Sequence, residues 1–183
     1  MDTSNLYKII SIKNFYIIDE LEKLTITSEI EKNYKKYYDP NLGHNFEIKD
    51  YSSIFFDNLY DKFLEISYKI FGNFSICNNN RRTCWCYRSC EKNFNSVWHS
   101  HKNTSTINGV YYYQIQDGDS ISFLDKDKEE MVYYLSEGEL IIFSNNLVHK
   151  PNIPISIIPN RYRYSINVEI MTKESSEKIF NRI

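Results

Sequence analysis

No stretch of the sequence approaches the ~18–20 consecutive apolar residues that a membrane-spanning helix needs. The opening residues, MDTSNLYKIISIK, also lack the apolar core of a secretory signal. The expectation is a soluble, cytoplasmic protein that makes no use of a membrane. Net charge is nearly absent as well: 22 basic against 24 acidic side chains leave −2 at pH 7. That balance argues against a broad basic face and makes duplex nucleic acid the least favoured partner. Internal repeats and low-complexity linkers are missing, so the 183 residues read as one domain. Cysteine is sparse and clustered, with Cys77, Cys84, Cys86 and Cys90 in and before TCWCYRSC. No second CxxC pair follows, which speaks against a zinc site. Reduced thiols packed around a strand fit the pattern better, and fit a reducing compartment.

What is present suffices for a sizeable core: 42% of residues are apolar and 16% aromatic. A chain of this length buries roughly 70% of its unfolded surface without disulfides or structural metal. Residues 1–73 read as a strand plus helical support. LYKIISIKNFYII is strand-like, and DELEKLTITSEIEKNYKKYY has helical spacing weakened by the β-branched Thr25, Ile26 and Thr27. Pro40, Asn41 and Gly43 mark a turn. A helix follows over about Ser52 to Phe71, where Phe55, Leu59, Phe63, Ile66 and Ile70 form one stripe, with Asp50 or Ser52 as cap and Gly72 as stop. From residue 74 to 171 the period becomes two, in the short runs FSIC, TCWCYR, INGVYYYQI, SISFL, MVYYL, ELIIF and RYRYSINVEI. Turn signals divide them, which predicts a sandwich or barrel. Residues 172–183, with KESSEKIF, form a C-terminal helix or tail.

Of the four histidines, His99 and His101 alternate in SVWHSHKN and project to one side of an extended segment, where they can share an ion. His149 follows the run ELIIF, and an antiparallel sandwich can return it to the same place. His44 lies in a Gly-containing turn and receives no role. Imidazole suits iron, zinc, copper and nickel alike, so the histidines do not name the metal. Solvent-facing histidines that bind nothing are the plain alternative. In the last run, Arg161, Arg163, Ser165, Asn167 and Glu169 alternate with apolar residues. Such a polar row ordinarily faces water. If instead it lines the mouth of a jelly roll, Arg163 offers a planar fork to a carboxylate and Ser165 a further donor. Periodicity alone leaves both choices open.

The order of parts carries more than any one of them. His99-Ser-His101, then INGVYYYQ, then GELIIFSNNLVH ending in His149, then RYSIN from Arg163 resembles the iron(II)/2-oxoglutarate-dependent oxygenases. The likeness is to a bacterial and phage subgroup related to prolyl hydroxylases, and it covers about residues 83–170. It implies an α+β, mainly β fold, with a double-stranded β-helix (jelly roll) core and N-terminal helices packed on one face. It implies Fe(II) held by His99, His101 and His149, with 2-oxoglutarate and O2 as co-substrates and succinate and CO2 as products. Arg163 matches the residue that pairs with the distal carboxylate of 2-oxoglutarate, with Tyr112 and Ser165 as helpers. His101 departs from the pattern, since relatives place Asp or Glu there; Asp125 or Glu91 is a candidate to supply the missing carboxylate. The implied activity is hydroxylation of a peptide (prolyl) residue or a small molecule, with Trp85, Tyr87, Trp98, Tyr111 and Tyr113 around the mouth. On this reading Arg163→Ala raises the KM for 2-oxoglutarate and spares the fold. A cupin-like three-histidine metalloprotein without 2-oxoglutarate, and a metal-free jelly-roll binding module, are the competing readings.

Overall fold

A computed structural model describes residues 8–37, 45–47, 54–77, 83–89, 96–102 and 105–174. The elements run β1 (Ile9–Ile12), α1 (Glu20–Tyr37), β2 (Asn45–Glu47), α2 (Ile54–Phe71), β3 (Thr83–Ser89), β4 (Ile107–Gln114), β5 (Ser120–Leu124), β6 (Glu130–Tyr134), β7 (Glu139–Ser144), β8 (His149–Pro151) and β9 (Arg163–Ile170). The fold is mainly β, with two helices.

The weakly signalled segment is the helix α1, for reasons local and tertiary. Asp19 Oδ1 caps its first turn by accepting the Glu22 N–H at 2.8 Å. The β-branched run is accommodated one residue at a time. Thr25 Oγ1 donates back to the Leu21 carbonyl, the Thr27 hydroxyl meets that of Tyr113 at 2.7 Å, and Ile26 is wholly buried with Ile30. Packing outweighs the small propensity penalty of such residues. Helix α2 follows its stripe, burying Phe55, Phe56, Leu59, Tyr60 and Phe63. It ends at Gly72, whose φ of +78° suits a residue without a Cβ and whose N–H reaches the Tyr68 carbonyl at 3.0 Å. The expected caps Asp50 and Ser52, the turn at 40–43 and most of KESSEKIF lie outside the described residues.

The strands form two antiparallel sheets, a large one ordered β1-β7-β4-β9-β3-β2 and a small one ordered β6-β5-β8. Alternation along the large sheet divides the core in two. Tyr111, Tyr113, Leu140, Ile142, Tyr164 and Ile166 pack with α1 and α2 on one face, together with Cys84 and Cys86. Val110, Tyr112, Ile141 and Phe143 face the other way, clustering with Ile121 and Phe123 of the small sheet. The two helices thus share one face, and the interior between the sheets lies on the other. Cys84 and Cys86 are free thiols, and burial pushes both up, as expected of packed rather than metal-bound sulfur. Two expectations are corrected. The run FSIC contributes only a bridge, Ile76 to Thr172. RYRYSINVEI becomes a strand only at Arg163, because the Arg161 N–H is taken by the Ile158 carbonyl in a turn through Asn160, whose φ is +60°.

At Gly109 a ring of α2 packs directly on the sheet. A Cβ there would sit 2.7 Å from the Phe63 ring and 2.8 Å from a Val168 methyl. Gly109→Ala should therefore lower stability by about 1–3 kcal/mol, the usual cost of overpacking. A denaturant titration would read this as a lower midpoint at unchanged slope.

Candidate metal centre

Three histidines arrive at one place by backbone pairing. His99 and His149 form an antiparallel bridge, exchanging N–H···O bonds of 2.9 Å in both directions. β8, which starts at His149, is held by β5 through the partner Phe123. The His101 N–H donates to the Asn145 carbonyl at 3.1 Å, which keeps the HxH segment extended, with both rings on one side. The ring centroids of His99 and His149 are 4.3 Å apart, those of His99 and His101 5.3 Å, and those of His101 and His149 5.2 Å. One ring nitrogen from each lies within 4.8 Å of the others.

The tautomers follow from the partners. His99 Nδ1 is 2.9 Å from the Val97 carbonyl and His149 Nδ1 is 3.1 Å from that of Leu147. A carbonyl only accepts, so both Nδ1 atoms carry the proton and both Nε2 atoms keep a lone pair for a cation. Burial pushes His149 down to about 3, helped by His99 and His101, against the Leu147 hydrogen bond. His99 is lowered too, first by desolvation and further by His101. Neutral imidazoles are the form that binds metal. The same shift predicts acid sensitivity of the metal-free protein. The unfolded chain takes up a proton near 6.5, whereas folded His149 resists protonation down to about 3. Stability is thus full above pH ~6.5 and falls as the pH drops towards 3, since the unfolded state binds more protons in that window. Thermal melts in chelator across that range should show the decline, and His149→Phe should flatten it.

The polar row of β9 settles the choice that periodicity left open. Arg163, Ser165, Asn167 and Glu169 are all buried, opposite the helices and on the side of the histidines. At one end Glu169 Oε1 lies 2.6 Å from His101 Nδ1. At the other, Arg163 Nη1 meets Asp119 Oδ1 at 3.1 Å and the Asn152 carbonyl at 3.3 Å. Asp119 is wholly enclosed; desolvation raises its pKa against the pull of Arg163 and the Gln116 N–H. Tyr112 is buried with its ring centre 5.9 Å from the guanidinium carbon, and its partner across the β4–β9 ladder is Ser165. Between the two ends, Asn167 Nδ2 and Asn108 Nδ2 are buried donors without a partner among the described residues, and Glu169 Oε1 makes no hydrogen bond among them either.

Some candidates fall elsewhere. Tyr111 and Tyr113 do not line the mouth: odd-numbered β4 residues face the helices, and their hydroxyls donate to the Tyr16 and Lys23 carbonyls. Trp85 stays near, with its ring 6.5 Å from that of His101. Asp125 is spent in a turn, accepting the Asp127 and Glu129 N–H groups, and is no part of the histidine cluster. Glu91 and His44 lie outside the described residues. Glu169, Asp119, Asn108 and Asn167 received no role from the sequence. The buried row holding Arg163 was the available signal for Glu169 and Asn167.

Solved structures resemble this chain along nearly its whole length. A prolyl-4-hydroxylase of Pseudomonas putida superposes with a TM-score of 0.60 at 12% identity, covering 90% of this chain and 92% of its own. HygX of Streptomyces hygroscopicus, solved with nickel and 2-oxoglutarate bound, gives 0.61 at 10% identity, covering 94% and 88%. An oxidoreductase of the 2OG-Fe(II) oxygenase family from Burkholderia pseudomallei gives 0.61 at 13% identity, covering 89% and 84%. The chain has the 2OG-Fe(II) oxygenase fold. No protein-family model matches the sequence, and no curated protein does. Within the 2OG-Fe(II) oxygenase fold, His99, His101 and His149 stand together, with Arg163 on the same interior face. No helix among the described residues is long and apolar enough to cross a membrane.

Proposed function

We propose that this protein is an Fe(II)- and 2-oxoglutarate-dependent oxygenase that hydroxylates a peptide residue, prolyl among them, or a small molecule. The observation that carries the reading is the convergence of three imidazole nitrogens within 4.8 Å. Two of these rings are held in the metal-binding tautomer, in a fold shared with such enzymes. The chain acts as one domain, with residues 1–73 as strand and helical support, 74–171 as a double-stranded β-helix core and 172–183 as a C-terminal helix or tail.

The donor set fits the metal. Nitrogen ligands from three imidazoles suit Fe(II) and leave further positions for other ligands. The orphaned amides of Asn108 and Asn167 fit an anionic co-substrate, because buried donors without partners are rare and costly unless a ligand satisfies them. When bound, Fe(II) with 2-oxoglutarate and O2 supplies the oxidising power, giving succinate and CO2. The residues of the chain hold and orient. His99, His101 and His149 ligate, with the Val97 and Leu147 carbonyls fixing two of the rings. Arg163, with Tyr112 and Ser165 beside it, steadies the distal carboxylate. Phe123 and Phe143 pack on the His149 ring at 5.7 and 4.6 Å and keep water from that side.

One observation favours the second reading, a cupin-like three-histidine metalloprotein: the Arg163 guanidinium already has a carboxylate partner in Asp119. Anaerobic protein loaded with Fe(II) and then given 2-oxoglutarate separates the two. A weak visible charge-transfer band, followed by succinate on admitting oxygen, supports the oxygenase. Iron binding without the band supports the cupin-like protein, and no iron binding leaves a metal-free binding module.

A further inference from the structure

Three imidazoles and a divalent cation leave two positive charges at the centre. At the position of His101 the sequence supplies no acid, and the acids it suggested elsewhere are committed to a turn or outside the described residues. The structure brings in another. Glu169 sits on the inner face of β9, pairing across the sheet with Asn108 on one side and Thr83 on the other. It is 5% exposed, and its Oε1 lies 2.6 Å from His101 Nδ1. A buried carboxylate is costly unless a charge or hydrogen-bond donor answers it. Glu169 Oε1 makes no hydrogen bond among the described residues, so what answers it is the facing imidazole of His101, a member of the histidine cluster. In His99 and His149 Nδ1 is hydrogen-bonded to a carbonyl, and in His101 it faces a carboxylate oxygen at 2.6 Å.

We propose that Glu169 is the acid of this centre: a positioning residue that orients His101 through Nδ1 and supplies, one ring removed from the ion, the negative charge that three imidazoles lack. The proposal rests on the metal-binding reading above. A carboxylate behind a ligating histidine fixes the ring and raises its basicity, and losing such a partner typically weakens metal binding by about 10- to 100-fold. Glu169 is thus a counterpart, displaced onto another strand, of the carboxylate that the fold's pattern places where His101 stands.

The test is a Co(II) titration of the full-length protein, read by its visible d–d absorption, with a melting curve for each variant. Glu169→Gln keeps the shape and removes the charge. It should weaken Co(II) binding about 10- to 100-fold and shift the d–d bands. The double variant H101D/E169Q places a carboxylate directly on the ion and should recover affinity to within a few-fold of the unmodified protein. A Glu169→Gln protein that binds Co(II) with unchanged affinity and spectrum overturns the proposal, as does a double variant no tighter than E169Q. Co(II) retained by His101→Ala but lost by Glu169→Gln would make Glu169 a direct ligand, which also overturns it. If the unmodified protein binds no Co(II), the metal-binding reading falls as well; if it binds and Glu169→Gln binds equally, only the role of Glu169 falls.

Discussion

Protein carrying His149→Ala is expected to bind no stoichiometric Fe(II) under conditions where the unmodified protein fills one site. His149 is the hinge of the cluster, paired to His99 through the backbone and stacked nearly parallel to His101, with 8° between the ring planes. It is also the most buried of the three, at 4% exposure, so water is poorly placed to replace it. Four-ligand zinc sites are worth about 10–16 kcal/mol, or about 2.5–4 kcal/mol per ligand, which makes the expected loss roughly 60- to 700-fold in affinity. The fold should survive, because the backbone bridge to His99 does not need the side chain. Anaerobic equilibrium dialysis with iron analysis measures the loss. His44→Ala, at the histidine given no role, should bind as the unmodified protein does.

The second large effect concerns the pair of Arg163 and Asp119. Both side chains are enclosed, at 4% and 0% exposure. Removing one partner leaves the other charge buried without its complement, at a cost of about 3–5 kcal/mol. Asp119 loses more than the pair, since its Oδ2 accepts the Gln116 N–H at 2.7 Å. Asp119→Ala should therefore lower the melting temperature by about 6–20 °C, at ~2–4 °C per kcal/mol for a chain of this size. Arg163→Ala should be comparably destabilised. This corrects the expectation that it spares the fold, an expectation that took Arg163 as a residue held ready for a ligand and omitted Asp119. Arg163→Lys is the informative variant. It keeps the charge opposite Asp119 but loses the planar fork, so stability should largely hold while 2-oxoglutarate affinity falls. Titrating the visible band against 2-oxoglutarate in this variant separates a co-substrate contact from a purely structural pair. Unchanged affinity would assign Arg163 to Asp119 alone.

Much of the fold was legible because burial imposes period. The stripe on α2 and the alternation of β4, β5, β7 and β9 are consequences of facing a core, and they stand near where the sequence put them. β2 and β8 escaped notice because three residues are too short to show a period. That matters for β8, which carries His149. α1 was obscured by Thr25–Thr27, whose local preference is overruled by contacts distant in sequence. At the site, the three histidines were legible as scarce residues at suggestive spacing. Asp119 and Glu169 were not, because charged residues are common and nothing local marks one as buried.

From its own pattern the sequence determined that the chain is mainly β, where α2 lies, and that three of its four histidines belong to the β-region. Only the tertiary structure decided which face of β9 turns inward. A strand alternates identically whether its polar row meets water or an interior, and the difference is made by what packs on the opposite side. Here α1 and α2 cover the apolar row. That packing drives Arg163, Asn167 and Glu169 into the space between the sheets, where charges and amides must find partners or a ligand.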